Sequence, residues 1–145
     1  MIGSGTAELA ARLGAALAAR AEVLDAYLFG SHARGEAGAH SDVDVAVYVD
    51  APLARESPYG LEADLSSQLM LALGTNRVDV VLLNEAAPLL YHRVLRDGIR
   101  VLARDLAATT TREGAALSRY CDFVPQLAKV ERAAAARLRT GEYGR

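Results

Sequence analysis

Residues suited to chemistry on a phosphate stand close together at two places in this chain. Gly30-Ser31 ends an apolar run, and after ten intervening residues comes Asp42-Val43-Asp44. Glycine lets a backbone turn sharply and lets a phosphate come close. A serine opening a helical turn offers a hydroxyl together with free N–H groups and the positive end of the dipole. Arg34, three residues on, can add a guanidinium to the same anion. The aspartates serve a cation instead. On a strand, Asp42 and Asp44 point to one side, with Val43, Val45, Val47 and Val49 on the other. Two adjacent carboxylates repel each other and resist leaving water, and a divalent cation relieves both penalties. Mg²⁺ takes one or two carboxylates together with waters and substrate phosphates, and Mn²⁺ has similar oxygen chemistry.

Asp79, inside the apolar run V-D-V-V-L-L-N, is the third acid. It lies early in the following strand, where a neighbouring strand can bring it beside Asp42 and Asp44. Three carboxylates would hold two metal ions that clamp the attacking and departing oxygens of an in-line displacement. Asp79 could equally accept the proton of a nucleophile. Each piece alone is ordinary; their order along the chain is what makes the set specific. His32 and His40 have no Cys or His partner at ligand spacing and are read as loop residues near phosphate. Tyr48 shares the face of Asp42 and Asp44 and is read as a half-buried strand tyrosine rather than a stacking platform.

The elements that must position these residues follow from periodicity. Thr6 is expected to cap a helix running to Arg20, with Leu9, Leu13, Ala16 and Leu17 on one face. Val23 to Phe29 reads as a strand leading into Gly30-Ser31, then His32-Ala33-Arg34 as a helical turn stopped by Gly35. Asp42 to Val49 alternates as a strand. Asp50 to Gly60, with Pro52 and Pro58, reads as a surface connection. A helix carrying Leu61, Leu65, Leu69 and Leu73 ends at Gly74, and Val78 to Leu83 is a third strand. Pro88 opens a helix reaching Asp97-Gly98, and Ile99 to Leu102 is a short fourth strand. Asp105 to about Arg139 is helical, with a break or kink at Pro125. This pattern indicates an α/β (α+β) domain with a mixed sheet of three to four strands packed on helices. Residues 1–104 form the core and 105–145 a C-terminal helical extension.

With 145 residues, 52% apolar and 23% charged, the chain is long enough for one packed domain. A net charge of −2 gives no sign of a general nucleic-acid binder, and direct nucleic-acid binding is not expected. Cys121 is the single cysteine, so an internal disulfide is excluded, and it is read as a small core residue. The N-terminal segment is broken by Glu8, Arg12 and Arg20, so neither a signal peptide nor a membrane span is expected, and cytoplasmic is the default. His92 and Arg93 are read as the solvated side of their helix. Val124, Leu127, Ala128, Val130 and Ala133–Ala136 form an apolar stripe among Lys129, Arg132, Arg137 and Arg139. It serves either as internal core or as a partner surface.

The string G-S-H-A-R-G-E-A-G-A-H-S-D-V-D-V-A-V resembles the G-S-x10-D-x-D signature of the DNA polymerase β-like nucleotidyltransferases, in its minimal, MNT-domain branch. Asp79 falls where that branch carries its third acid. R-Y-C-D-F-V-P-Q-L, Arg119 to Leu127, is similar to the C-terminal segment of MntA-type antitoxins, which are encoded beside HEPN-domain ribonuclease toxins of the HepT type. The resemblance implies a nucleotidyltransferase fold and transfer of AMP from ATP to a tyrosine hydroxyl of such a toxin, within a hetero-oligomer. It implies that Gly30, Ser31 and Arg34 hold the ATP phosphates while Asp42, Asp44 and Asp79 hold Mg²⁺, with two ions expected. Two alternatives share these residues: a small-molecule, antibiotic-type adenylyltransferase, and a non-catalytic module that masks a toxin.

Overall fold

In the computed structural model, residues 4–38, 40–54 and 60–140 are described. A helix, α1 (Ser4–Ala18), precedes two strands, β1 (Val23–Phe29) and β2 (Val43–Val49). Two helices follow, the one-turn α2 (Ala51–Ala54) and α3 (Leu61–Leu73), and then β3 (Val78–Leu82) and a 3₁₀ turn over Leu83–Glu85. The chain continues through α4 (Pro88–Asp97), β4 (Ile99–Ala103) and α5 (Leu106–Thr140). The four strands form one mixed sheet in the order β3-β2-β1-β4. β1 runs antiparallel to both β2 and β4, whereas β2 and β3 are parallel. Parallel neighbours need a long crossover, and α3 supplies it.

The alternation of β2 separates the two faces of the sheet. Val43, Val45, Val47 and Val49 join Leu28 and Val80 in a core closed by Leu13 and Leu17 of α1 and by Leu65 and Leu69 of α3. Each such side chain, buried at or near 0% exposure, contributes roughly 1.5–3 kcal/mol of apolar burial. The opposite face carries Tyr27 and Ala46, packed under Leu83, Tyr91 and Val94 and reached by Ala116 of α5. Phe29 and Tyr48 lie along its margin. Asp44 belongs to this second face, at the end of the sheet that the helices leave open.

α5 is fastened to the same face by a buried ionic group. Asp25, fully buried on β1, accepts two bonds from Arg112, from Nε at 2.7 Å and from a terminal nitrogen at 2.8 Å. It also accepts the hydroxyl proton of buried Thr109. The Arg112 guanidinium in turn lies 5.0 Å from the centre of the Tyr48 ring, so Tyr48 is half-covered as expected.

Several local expectations change. Thr6 lies inside α1 and does not cap it; its hydroxyl donates to the His32 carbonyl at 3.3 Å. The connection after β2 holds a helical turn, α2, because the Asp50 carbonyl accepts from Ala54 and its carboxylate from Leu53; Pro58 lies outside the described residues. Residues 31–35 make a hydrogen-bonded turn and no helix. Asp105 caps α5 through the N–H groups of Ala107 and Ala108, so the helix begins one residue later. α5 then passes Pro125 unbroken and spans about 52 Å at the usual rise. The apolar stripe beyond Pro125 is not core: Val130 is 62% exposed and Leu138 59%. Cys121 is exposed, and His92 stacks on Tyr120 at 3.6 Å between ring centres, so it is not on a solvated side. Among the described residues no helix is long and apolar enough to cross a membrane.

Candidate active site

β1 delivers Gly30 at the moment its pairing with β2 ends, the last rung being Phe29 opposite Asp44. Gly30 has φ +76°, a region that favours glycine, and a Cβ there would collide with Asp44 Oδ2. The glycine therefore does two things: it turns the chain and it leaves room for the carboxylate. Gly30→Ala is expected to cost about 1–3 kcal/mol in denaturant unfolding, because the backbone is strained and Asp44 must swing away. Wild-type stability in that variant would show that the close approach is not real.

The turn beyond Gly30 closes on itself. Arg34 N–H donates to the Gly30 carbonyl, Gly35 to His32, and Glu36 to Ser31. That leaves the N–H groups of Ser31, His32 and Ala33 without a backbone acceptor among the described residues, a concavity of donors suited to an anion. The expected helix dipole is absent, so local N–H groups carry this role. His32 Nε2 lies 3.4 Å from the Ser41 carbonyl and ties the two ends of the loop. Arg34 pairs with Glu36 at 3.1 Å, but both are largely exposed and the pair is worth little.

Two of the three acids are brought side by side, and the third lies just before them in the chain. The parallel register sets Asp79 directly beside Asp44, and Asp42 sits one step before β2 begins. Burial pushes the Asp44 carboxyl above its ordinary value, and the charges of Asp79 and then Asp42 push it further, while His32 and Arg34 pull it back. None of the three acids forms an ion pair with Lys or Arg among the described residues. No three His, Cys, Asp or Glu side chains there close into a ready metal cage. A hard cation held by these carboxylates would need water and substrate phosphate to complete its shell.

A carboxyl raised in the folded state binds its proton more tightly there than in the unfolded chain. Stability is therefore lost as pH climbs from the ordinary value, near 3.8, through the raised one, and the penalty is complete above it. Asp44→Asn removes the penalty. In metal-free buffer its Tm should exceed that of wild type at neutral pH, and the difference should shrink as the buffer is taken below the ordinary value. A difference that grows on acidification would contradict this account.

One cleft of about 210 Å³ is lined by Phe29, Gly30, Arg34, Asp44, Arg93 and Asp97. Gly30, Arg34 and Asp44 are thus gathered as anticipated, with Ser31 next in the turn and Asp79 on the adjoining strand. Arg93 and Asp97 are additions that sequence reasoning missed. They reach the cleft because Gly98 ends α4 against β1, where a Cβ would meet the Leu28 carbonyl at 3.1 Å. The tight Asp97-Gly98-Ile99 junction was the available signal.

The family model described as polymerase beta nucleotidyltransferase matches residues 12–107. The chain belongs to this nucleotidyltransferase family. A solved minimal nucleotidyltransferase is 37% identical, matching 67% of this chain and 98% of its own, with a TM-score of 0.53. More distant in sequence, a toxin–antitoxin crystal structure with AMP-PNP gives a TM-score of 0.68 at 21% identity, over 86% of this chain and 97% of the other. A tri-AMPylated Shewanella oneidensis HEPN toxin in complex with MNT antitoxin gives 0.61 at 19%, over 88% and 98%. At those two identities the likeness is one of fold. No curated protein sequence matches. The mixed sheet with its long final helix is the nucleotidyltransferase fold, as expected.

Proposed function

We propose that this nucleotidyltransferase is an antitoxin that moves AMP from ATP to a tyrosine hydroxyl of a HEPN-type, HepT-like ribonuclease toxin and silences it. The observation that carries the reading is the register of Asp44 beside Asp79, next to the Gly30 turn and the Arg34 guanidinium in one cleft. The AMP-PNP-bound and AMPylated toxin–antitoxin relatives favour ATP as donor and a HEPN protein as acceptor, the two meeting in a hetero-oligomer.

In this mechanism Ser31 and the free N–H groups of the turn hold the phosphates beyond the α-phosphate, with Arg34 beside them. Asp42, Asp44 and Asp79 would hold Mg²⁺, which when bound neutralises the triphosphate and the charge gathering on the departing oxygen. Asp79, more exposed than its neighbour Asp44, takes the hydroxyl proton. The tyrosine oxygen forms its bond to the α-phosphorus as the bond to the bridging oxygen breaks, and pyrophosphate leaves with that electron pair. Positioning and charge account for most of the acceleration.

The test is intact-mass measurement of a HEPN-type toxin encoded beside this protein, after incubation with protein, ATP and Mg²⁺. Added AMP mass on a toxin tyrosine, with loss of ribonuclease activity, is the expected result. Label recovered only on small hydroxylated molecules, or toxin silenced without any added mass, would overturn it.

A further inference from the structure

We infer that Arg93 is a second phosphate-binding arginine, reaching from α4 into the cleft that Gly30, Arg34 and Asp44 line, and this rests on the nucleotide reading above. Arg93 is exposed and, among the described residues, holds no hydrogen bond or ion pair. An unpaired guanidinium at the wall of a cleft that also contains a metal-type carboxylate is placed for an anionic ligand. Two acids share the cleft, Asp44 and Asp97. Asp97 accepts from Arg96 through both oxygens, each at 2.9 Å, so its charge is met first by Arg96 and the donors of Arg93 stay free.

Arg34 lines the same cleft, so two guanidiniums stand around one small volume. Their charges add to the larger effect of Arg96 in holding the Asp97 carboxyl below its usual range. Arg34, Arg93, the Gly30 turn and Asp44 thus line one small cleft, with Asp79 beside Asp44 on the next strand. A nucleoside triphosphate carrying its metal ion matches that mixture of guanidiniums and carboxylates. Its α-phosphate belongs by Asp44 and Asp79, where the reacting bond must lie, and its outer phosphates belong by the arginines. Arginine suits this place because its fork binds two phosphate oxygens at once.

The inference predicts selective loss of affinity for outer phosphates. Binding of AMP-PNP and of AMP, each with Mg²⁺, is measured calorimetrically for wild type, Arg93→Ala and Arg93→Lys, with circular dichroism as the folding control. Arg93→Ala should weaken AMP-PNP about tenfold or more and leave AMP within about twofold, with Arg93→Lys in between. Wild-type protein that fails to bind AMP-PNP would overturn the nucleotide reading and this inference together. Wild-type binding with Arg93→Ala unchanged, or weakened equally for AMP-PNP and AMP, would overturn the inference alone.

Discussion

Replacing Asp42 and Asp44 together by asparagine is expected to lower AMP transfer by about a thousandfold or more, with the fold intact. The side chains keep their size and the strand keeps its register, so what is lost is charge. Asp44 sits half-buried opposite Phe29 and beside Asp79, in a cluster with no lysine or arginine partner among the described residues. In the proposed mechanism a cation and a triphosphate offset its repulsion. Single-turnover transfer from labelled ATP to the toxin reads the effect. Transfer within tenfold of wild type would place the reacting phosphorus elsewhere.

Arg112→Ala should be the most damaging single change to stability, at about 3–5 kcal/mol. Asp25 has no exposed surface, and the substitution strips it of two charge-assisted bonds while leaving only the Thr109 hydroxyl. The cost is that of a buried, unpaired carboxylate more than of a lost attraction. The double change Asp25→Leu with Arg112→Met should therefore be less harmful than Arg112→Ala alone. Denaturant unfolding of the three proteins measures this. A loss below about 0.5 kcal/mol for Arg112→Ala, the scale of a surface pair, would mean that the group does not fasten α5.

What the sequence made legible was local in origin. β1 is apolar at every position but Asp25, α3 carries its leucines four apart and stops at a left-handed Gly74, and Pro88 stands where a helix can begin. Asp44 and Asp79 could be placed together because strand periodicity leaves few options for residues one step inside two adjoining strands, and Asp42 follows as the residue just before the first of them. What stayed hidden depends on distant partners. Asp25 finds Arg112 across 87 residues, and nothing near either residue announces the other. Thr6 has the chemistry of a cap, but the His32 carbonyl claims its hydroxyl. Arg93 is the solvated helix residue it reads as, but only the docking of α4 against β1 puts that solvated side chain at the wall of the cleft. Cys121 and the stripe after it look like core by composition, yet α5 runs past the sheet that would cover them.

The parallel pairing of β2 with β3 also says where this chain is free to vary. Between Val49 and Val78 the backbone needs only to return to the same end of the sheet, and doubling such a connection costs about 0.6 kcal/mol. Outside α3, whose Leu65 and Leu69 close the core, length there is nearly neutral, and insertions should accumulate in it across relatives. Inside β3 a single added or deleted residue would turn Asp79 into the valine core and bring a valine beside Asp44. The placement of Asp79 thus hangs on the count of residues within a five-residue strand, and hardly at all on the length of the loops that lead to it.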